Sequence, residues 1–172
     1  KNSNSQIIYH TDACQAAGYY DLNVKELGVD LMTINGSKIY GPKGTGVLYV
    51  KKGVMINPII HGGGQENNKR AGTENVAGII GLTTALELAQ EEREKESKRL
   101  TELRDILIKK LLKIPKTVLN GHPTKRLPNN VNVTVMDIEG EAMLLHLDDL
   151  GICASTGSAC TSGDLEPSHV IL

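Results

Sequence analysis

Tryptophan and phenylalanine are absent from this 172-residue sequence and tyrosine occurs only five times, so any core must be built from aliphatic side chains. Without aromatic platforms there is almost nothing on which single-stranded nucleic acid could stack its bases. A surplus of either charge is also missing, since 19 lysines and arginines oppose 20 aspartates and glutamates and leave a net charge of −1 at pH 7. Polyanion binding draws on a basic excess, so direct nucleic-acid binding is set aside. No apolar run reaches the roughly 18 residues a membrane helix needs, and no apolar stretch follows the polar residues 1–6, so neither membrane spanning nor secretion is indicated. The three cysteines, Cys14, Cys153 and Cys160, are an odd number without paired metal-ligand spacing. That leaves no basis for a disulfide framework or a structural zinc site, and free thiols make the cytoplasm the expected location.

What is present is the composition of a soluble globular protein, 40% hydrophobic and 23% charged. Residues 6–10 read as a short buried strand that ends in the polar cluster His10-Thr11-Asp12, the end at which open α/β sheets place their chemistry. A short amphipathic segment over 22–27 ends at Gly28. Residues 31–34 and 45–50 predict two more strands, with a glycine-rich loop over 36–46 between them, and residues 56–60 suggest a fourth. Apolar rather than strictly alternating runs favour a largely buried sheet with helices on its faces. A long helical stretch covers 76–114, with Ile79, Leu82 and Leu86 on one apolar face, a solvated segment over 91–99, and Leu100, Leu103, Leu107 and Leu111 resuming the face. Pro115 stops it. The alternating Val131, Val133 and Val135 predict a strand, residues 141–150 a helix closed by Gly151, and residues 152–155 a further extended segment. Lys109, Lys110, Lys113 and Lys116 read as a solvated helix end favoured by the helix dipole.

Four places could carry chemistry. Lys38 directly follows a predicted strand in a loop of glycines; such a lysine is either a solvated turn residue or, in an apolar cleft, an amine able to condense with an aldehyde, with Ser37 able to donate to a phosphate. Asp12 with Gln15 is either a helix cap or, beside Lys38, the carboxylate and amide that a pyridoxal ring requires. The segment from His61 to Glu66, followed by residues 70–75, is either a loop with Thr73 capping the long helix and Glu74 in its first turn, or an anion-binding helix start. Cys160 lies in a run of small polar residues and reads as an exposed nucleophile, whereas Cys14 and Cys153 lie beside predicted elements and read as core.

Five segments occur together and in order: residues 12–15, 36–44, 61–66, 70–73 and 155–162. Over essentially the whole chain they resemble the NifS/IscS-type cysteine desulfurases, which are pyridoxal 5'-phosphate enzymes. The resemblance implies the second half of a transferase large domain, a mainly parallel sheet with helices over residues 1–90, joined to a linking helix and most of a small α/β domain over 91–172. It makes Lys38 the Schiff-base lysine, Asp12 the partner of the pyridinium nitrogen, Gln15 a ligand of the ring hydroxyl, and Asn35, Gly36 and Ser37 the phosphate-side turn. Thr73 would reach the phosphate of the other subunit's cofactor, which implies a homodimer. Cys160 would accept sulfur from L-cysteine as a persulfide, with release of L-alanine, and deliver it to an iron–sulfur scaffold or a tRNA-thiolation acceptor protein. Where the family usually has His this chain has Ser37, and where Ser is common it has Asn35; both still form hydrogen bonds.

The chain opens without Met and with a strand almost at once, which suggests a piece of a longer protein, and the resemblance, to a family of much longer members, implies the same. The imidazole that stacks on the ring would lie upstream, and the arginine for the substrate carboxylate would follow Ser168-His169-Val170. Two other readings remain at this stage: a selenocysteine lyase or another lyase on the same scaffold, and a catalytically inactive fragment retaining a dimer or partner-binding surface.

Overall fold

The computed structural model describes residues 7–157, which divide into two compact units at the boundary between Arg99 and Leu100. In the first unit β1 (His10–Asp12) pairs parallel with β2 (Leu31–Asn35), and β2 pairs antiparallel with β3 (Gly46–Val50), giving the order β1-β2-β3. The sheet of the described residues is therefore mixed. Register sets Asp12 opposite Thr33 and Asn35 opposite Gly46.

Alternation along β2 decides which face is covered. Met32 and Ile34 point into the core, while Leu31, Thr33 and Asn35 lie on the other, half-open face. The core is aliphatic, as the missing aromatics require: Ala13, Ala17, Val29, Met32, Ile34, Ile39 and Leu82, with Ala85, Leu86 and Ala89 of α3 (Val76–Leu111), the long helix after the short α2 (Gln65–Asn68), packed on it. α1 (Val24–Leu27) starts at Asn23, whose side chain accepts from the Lys25 N–H at 3.1 Å. It ends at Gly28, whose φ of 65° is the left-handed conformation that glycine adopts without penalty.

At the opposite end of the strands from Asn35, the buried Asp30 ties the sheet together. Its carboxylate accepts from the Tyr9 N–H at 3.0 Å and pairs with Lys51 Nζ at 3.2 Å, while its backbone carbonyl accepts from the Lys51 N–H. One side chain thus binds the entry to β1 and the exit from β3.

In the second unit β4 (Thr117–Leu119) and β5 (Val133–Val135) form an antiparallel pair. Arg104 is buried; its guanidinium donates to the carbonyls of Arg126 and Leu127 at 3.2 Å and pairs with Asp105. α4 (Gly140–Asp149) is capped by the Glu139 carboxylate, which accepts from the Glu141 and Ala142 N–H groups at 2.8 and 2.7 Å. Gly151, at φ 72°, turns the chain after it.

Several expectations need correction. Residues 56–60 form no strand, because Pro58 removes a ladder donor and the segment lies at the surface, with Ile59 92% exposed. Residues 152–155 are likewise not strand. The first strand begins at His10, later in the chain than its apolar run suggests. In the second unit the inward face of α3 is Arg104 and Ile108, whereas Leu103 and Leu107 are about half exposed. Leucine periodicity placed the face one position too early, because a buried arginine satisfying loop carbonyls carries no apolar signal. β4 was not foreseen: three residues after a proline are too short to show a period.

Two predictions follow from these anchors. Asp30→Ala leaves the Tyr9 N–H and the Lys51 ammonium without their carboxylate and should lower stability by about 3 kcal/mol, with Asp30→Asn costing less; urea titration of both variants checks this. The N–H groups of Ala142, first, and Glu141 hold the Glu139 carboxyl below its ordinary value of 4.5. Its capping contribution is therefore complete above that value and lost as pH falls through the depressed one. The Glu141 and Ala142 amide-proton shifts, followed by NMR in acid, should move together with a midpoint below 4.5.

Candidate active site

Because β1 and β2 run parallel, their carboxyl ends open on the same edge, where α/β sheets gather ligand-binding groups. β1 delivers Asp12 and, one turn later, Gln15; β2 delivers Asn35 and then a 3₁₀ turn, Gly36–Lys38. Asp12, Gln15, Ser37 and Lys38 are all exposed, and Asn35 is half-buried.

The loop that carries Lys38 is built as a rigid hook. The Asn35 carboxamide oxygen accepts from both the N–H and the hydroxyl of Ser37 at 2.9 Å, which winds the turn. Ile39, buried, pins its far side and donates its N–H to the Gly36 carbonyl at 3.1 Å. The Gly41 N–H donates to the same carbonyl at 2.8 Å, and the Gly36 N–H donates to the Thr45 carbonyl at 3.0 Å. A Cβ on Gly36 would lie 2.4 Å from Thr45 Oγ1 and 3.1 Å from Leu82 Cδ1, so only glycine lets the loop and helix α3 close. Lys38 is held outward by an anchored backbone rather than by a flexible one.

Asp12 is equally constrained. Its carboxylate accepts from the Cys14 N–H at 2.9 Å. Hydrogen bonding from Cys14, side chain and then backbone, together with the nearby His10, keeps the Asp12 carboxyl below its ordinary range, so it is ionised at neutral pH. In return, burial first, and then the Asp12 carboxylate, push the Cys14 thiol up to about 11, with the Lys38 ammonium opposing weakly. These couplings place a fixed carboxylate, a protonated thiol and a lysine ammonium in one electrostatic neighbourhood. His10 Nε2 lies 2.8 Å from Thr33 Oγ1 on the same face.

Thr73 is exposed in the loop that leads into α3. It does not cap that helix: the Asn75 carboxamide oxygen accepts from the Gly78 N–H at 3.1 Å, and Glu74 precedes the first turn. Within the segment from His61, Glu66, Asn67 and Asn68 form a left-handed turn with φ of 50°, 54° and 62°. Cys160 lies outside the described residues. Cys153 is exposed, unlike the core residue expected, whereas Cys14 is half-buried. The roles of Cys14 and His10 beside Asp12 were missed; the signal available was their spacing of two residues either side of it, the reach of an Asx turn and of one strand face.

The described residues thus set a lysine hook and an ionised carboxylate on the carboxyl edge of one α/β sheet. The chain belongs to the aminotransferase class-V family, whose model matches residues 1–172. It is 59% identical over 167 residues to the cysteine desulfurase IscS of Methanosarcina thermophila, an alignment covering 97% of this chain and 41% of that protein. It is also 59% identical over 166 residues to the cysteine desulfurase IscS of Dictyoglomus turgidum, covering 96% of this chain and 42% of that one. Among solved structures, a NifS-like protein superimposes with a TM-score of 0.83 at 37% identity, over 91% of this chain and 43% of that chain. The chain thus spans about two-fifths of the length of the relatives it matches.

The thiol environments make a direct prediction. At pH 8 iodoacetamide should modify the exposed Cys153 faster than Cys14, and Asp12→Asn should speed modification of Cys14 by removing the carboxylate that disfavours its thiolate. Peptide mass mapping over a time course reads both rates.

Proposed function

We propose that this chain carries the lysine, the ring-binding carboxylate and the sulfur-accepting cysteine of a cysteine desulfurase that uses pyridoxal 5'-phosphate. The observation that supports this reading best is the delivery of Asp12 and Lys38 to one edge by adjacent parallel strands. The residues present suit the cofactor. An aspartate kept ionised by Cys14 can hold a proton on a pyridine nitrogen, and the exposed Lys38 amine stands where an aldehyde can reach it. Gln15, exposed in the turn after Asp12, would donate to a ring hydroxyl.

On the phosphate side the three residues of the turn have different parts. The Ser37 hydroxyl now donates to Asn35 and can turn its proton to a phosphate oxygen by rotation about one bond. Gly36 serves through shape, since its N–H is committed to Thr45. Thr73 supplies a hydroxyl to the cofactor phosphate of a partner subunit in a homodimer. When bound, pyridoxal phosphate supplies an aromatic ring that accepts electrons from the substrate Cα.

Lys38 then acts as the base that takes the Cα proton of L-cysteine and returns a proton as L-alanine forms. The Cys160 thiolate attacks the substrate sulfur, forming a persulfide S–S bond as the substrate Cβ–S bond breaks with its electron pair left on the carbon that becomes the L-alanine methyl, and an iron–sulfur scaffold or a tRNA-thiolation protein in the cytoplasm takes the sulfur onward. The test is reduction with borohydride after incubation with pyridoxal phosphate, followed by peptide mass mapping. A single dominant adduct on Lys38, absent in Lys38→Ala, is expected. Adducts scattered over surface lysines, or none, would overturn the reading. Cys160→Ser should keep the Lys38 adduct and form no persulfide when the enzyme is given L-cysteine.

A further inference from the structure

Residues 91–99 of α3 have the composition of a solvated face, yet one stripe of this region is turned inward. Gln90, Arg93 and Ser97 are half-buried and continue, at helical spacing, the line of Leu82, Leu86 and Ala89 that packs on the core. Gln90 and Ser97 reach backbone carbonyls of residues 17–20, and Arg93 reaches the Asp21 carboxylate. Gln90 Nε2 donates to the Ala17 carbonyl at 2.7 Å and to the Tyr20 carbonyl at 3.0 Å, and Ser97 Oγ donates to the Tyr19 carbonyl at 2.9 Å. Arg93 Nη1 donates to Gln90 Oε1 at 3.0 Å, which turns the amide nitrogen toward those carbonyls, and it pairs with Asp21 at 3.3 Å.

The carbonyls so received are the last of a helical turn. The N–H groups of Ala16 and Ala17 donate to the Ala13 carbonyl and those of Tyr19 and Tyr20 to the Ala16 carbonyl, after which the chain departs. Carbonyls at such an end need donors from elsewhere. The same turn carries the site: Asp12 stands at its start, Cys14 within it donates to Asp12, and Gln15 projects from it to solvent. Its first residue is held by β2, through the Ala13 N–H to the Thr33 carbonyl at 2.8 Å, and the carbonyls of its last residues receive donors from α3.

We infer that Gln90 and Ser97 are positioning residues for the cofactor-binding pair Asp12 and Gln15, fixing the turn of residues 13–20 from its far end. The inference rests on the proposed function for the role of Asp12, but its geometry does not. Glutamine suits the place because one amide nitrogen carries two N–H groups and can serve two carbonyls, while its oxygen answers Arg93. An aliphatic residue would pack equally well and remove both of these donors.

The experiment compares this chain with Gln90→Leu, Ser97→Ala and Gln90→Lys, the last of which returns a donor. The primary readout is the side-chain titration of Asp12 by carboxyl NMR, without cofactor. In the parent chain the midpoint lies below 3.8, because Cys14 is held against the carboxylate. In Gln90→Leu and Ser97→Ala it should rise toward 3.8, and Gln90→Lys should restore it. Pyridoxal phosphate affinity, measured by fluorescence titration, should weaken by about tenfold in Gln90→Leu, the scale of one ordered hydrogen-bonded contact. An unchanged Asp12 midpoint in folded Gln90→Leu and Ser97→Ala overturns the inference; should Gln90→Leu fail to fold, Ser97→Ala alone decides it. Absence of any pyridoxal phosphate binding by the parent chain would instead count against the proposed function, while the Asp12 titration still decides the positioning role.

Discussion

The parallel pairing of β1 with β2 is the constraint on which the site depends. Parallel strands end on the same side of a sheet, so Asp12 and the Lys38 hook lie on one edge although 26 positions separate them in sequence. Antiparallel pairing at the same register would send one of them to the opposite edge. Asp30 serves this arrangement from the other end, because a buried carboxylate that binds Tyr9 and Lys51 resists sliding of β1 or β3 past β2. The direction of the strands is therefore what places the chemistry, and the ion pair at the closed end helps to hold it.

Helix α3 makes the first unit coherent in two ways. Its first turns contribute Leu82, Ala85, Leu86 and Ala89 to a core whose buried residues are all aliphatic and against which Tyr49 packs only partly buried. The close packing of small groups compensates: Gly36 lies against Thr45 and Leu82, and a Cβ on Gly81 would meet Pro42 at 2.6 Å, so the Lys38 loop sits directly on the helix. Farther along, the same stripe changes from apolar to polar without leaving the interface. Gln90 and Ser97 reach carbonyls 73 and 78 residues away, so packing and polar anchoring share one helix face.

Much of this was legible in the residues. Gly28 closes α1, the apolar run over 31–34 marks β2, and Pro115 stands beyond α3. Lys38 after a strand, with Asp12 at the end of another, already suggested one ligand. Less visible was whatever depends on polar side chains facing inward. Arg104 is buried because loop carbonyls of Arg126 and Leu127 receive its guanidinium, and an arginine in a leucine-rich stretch looks solvated until those carbonyls are known. Cys14 looked like a core residue, and its exchange of influence with Asp12 follows from an N–H direction that only the turn defines.

By itself, then, the sequence determined which chemistry is available and in what order along the chain: a carboxylate and an amide three residues apart, a lysine hooked between glycines, a cysteine among small residues, and an aliphatic core. Those follow from local rules, since caps, turns and periodicity involve neighbours within a few residues. Tertiary structure alone decided strand direction and the inward use of Gln90, Ser97 and Arg104. Each of these rests on partners distant in sequence, and a hydrogen bond or a Coulomb interaction is set by separation in space, which no local pattern records.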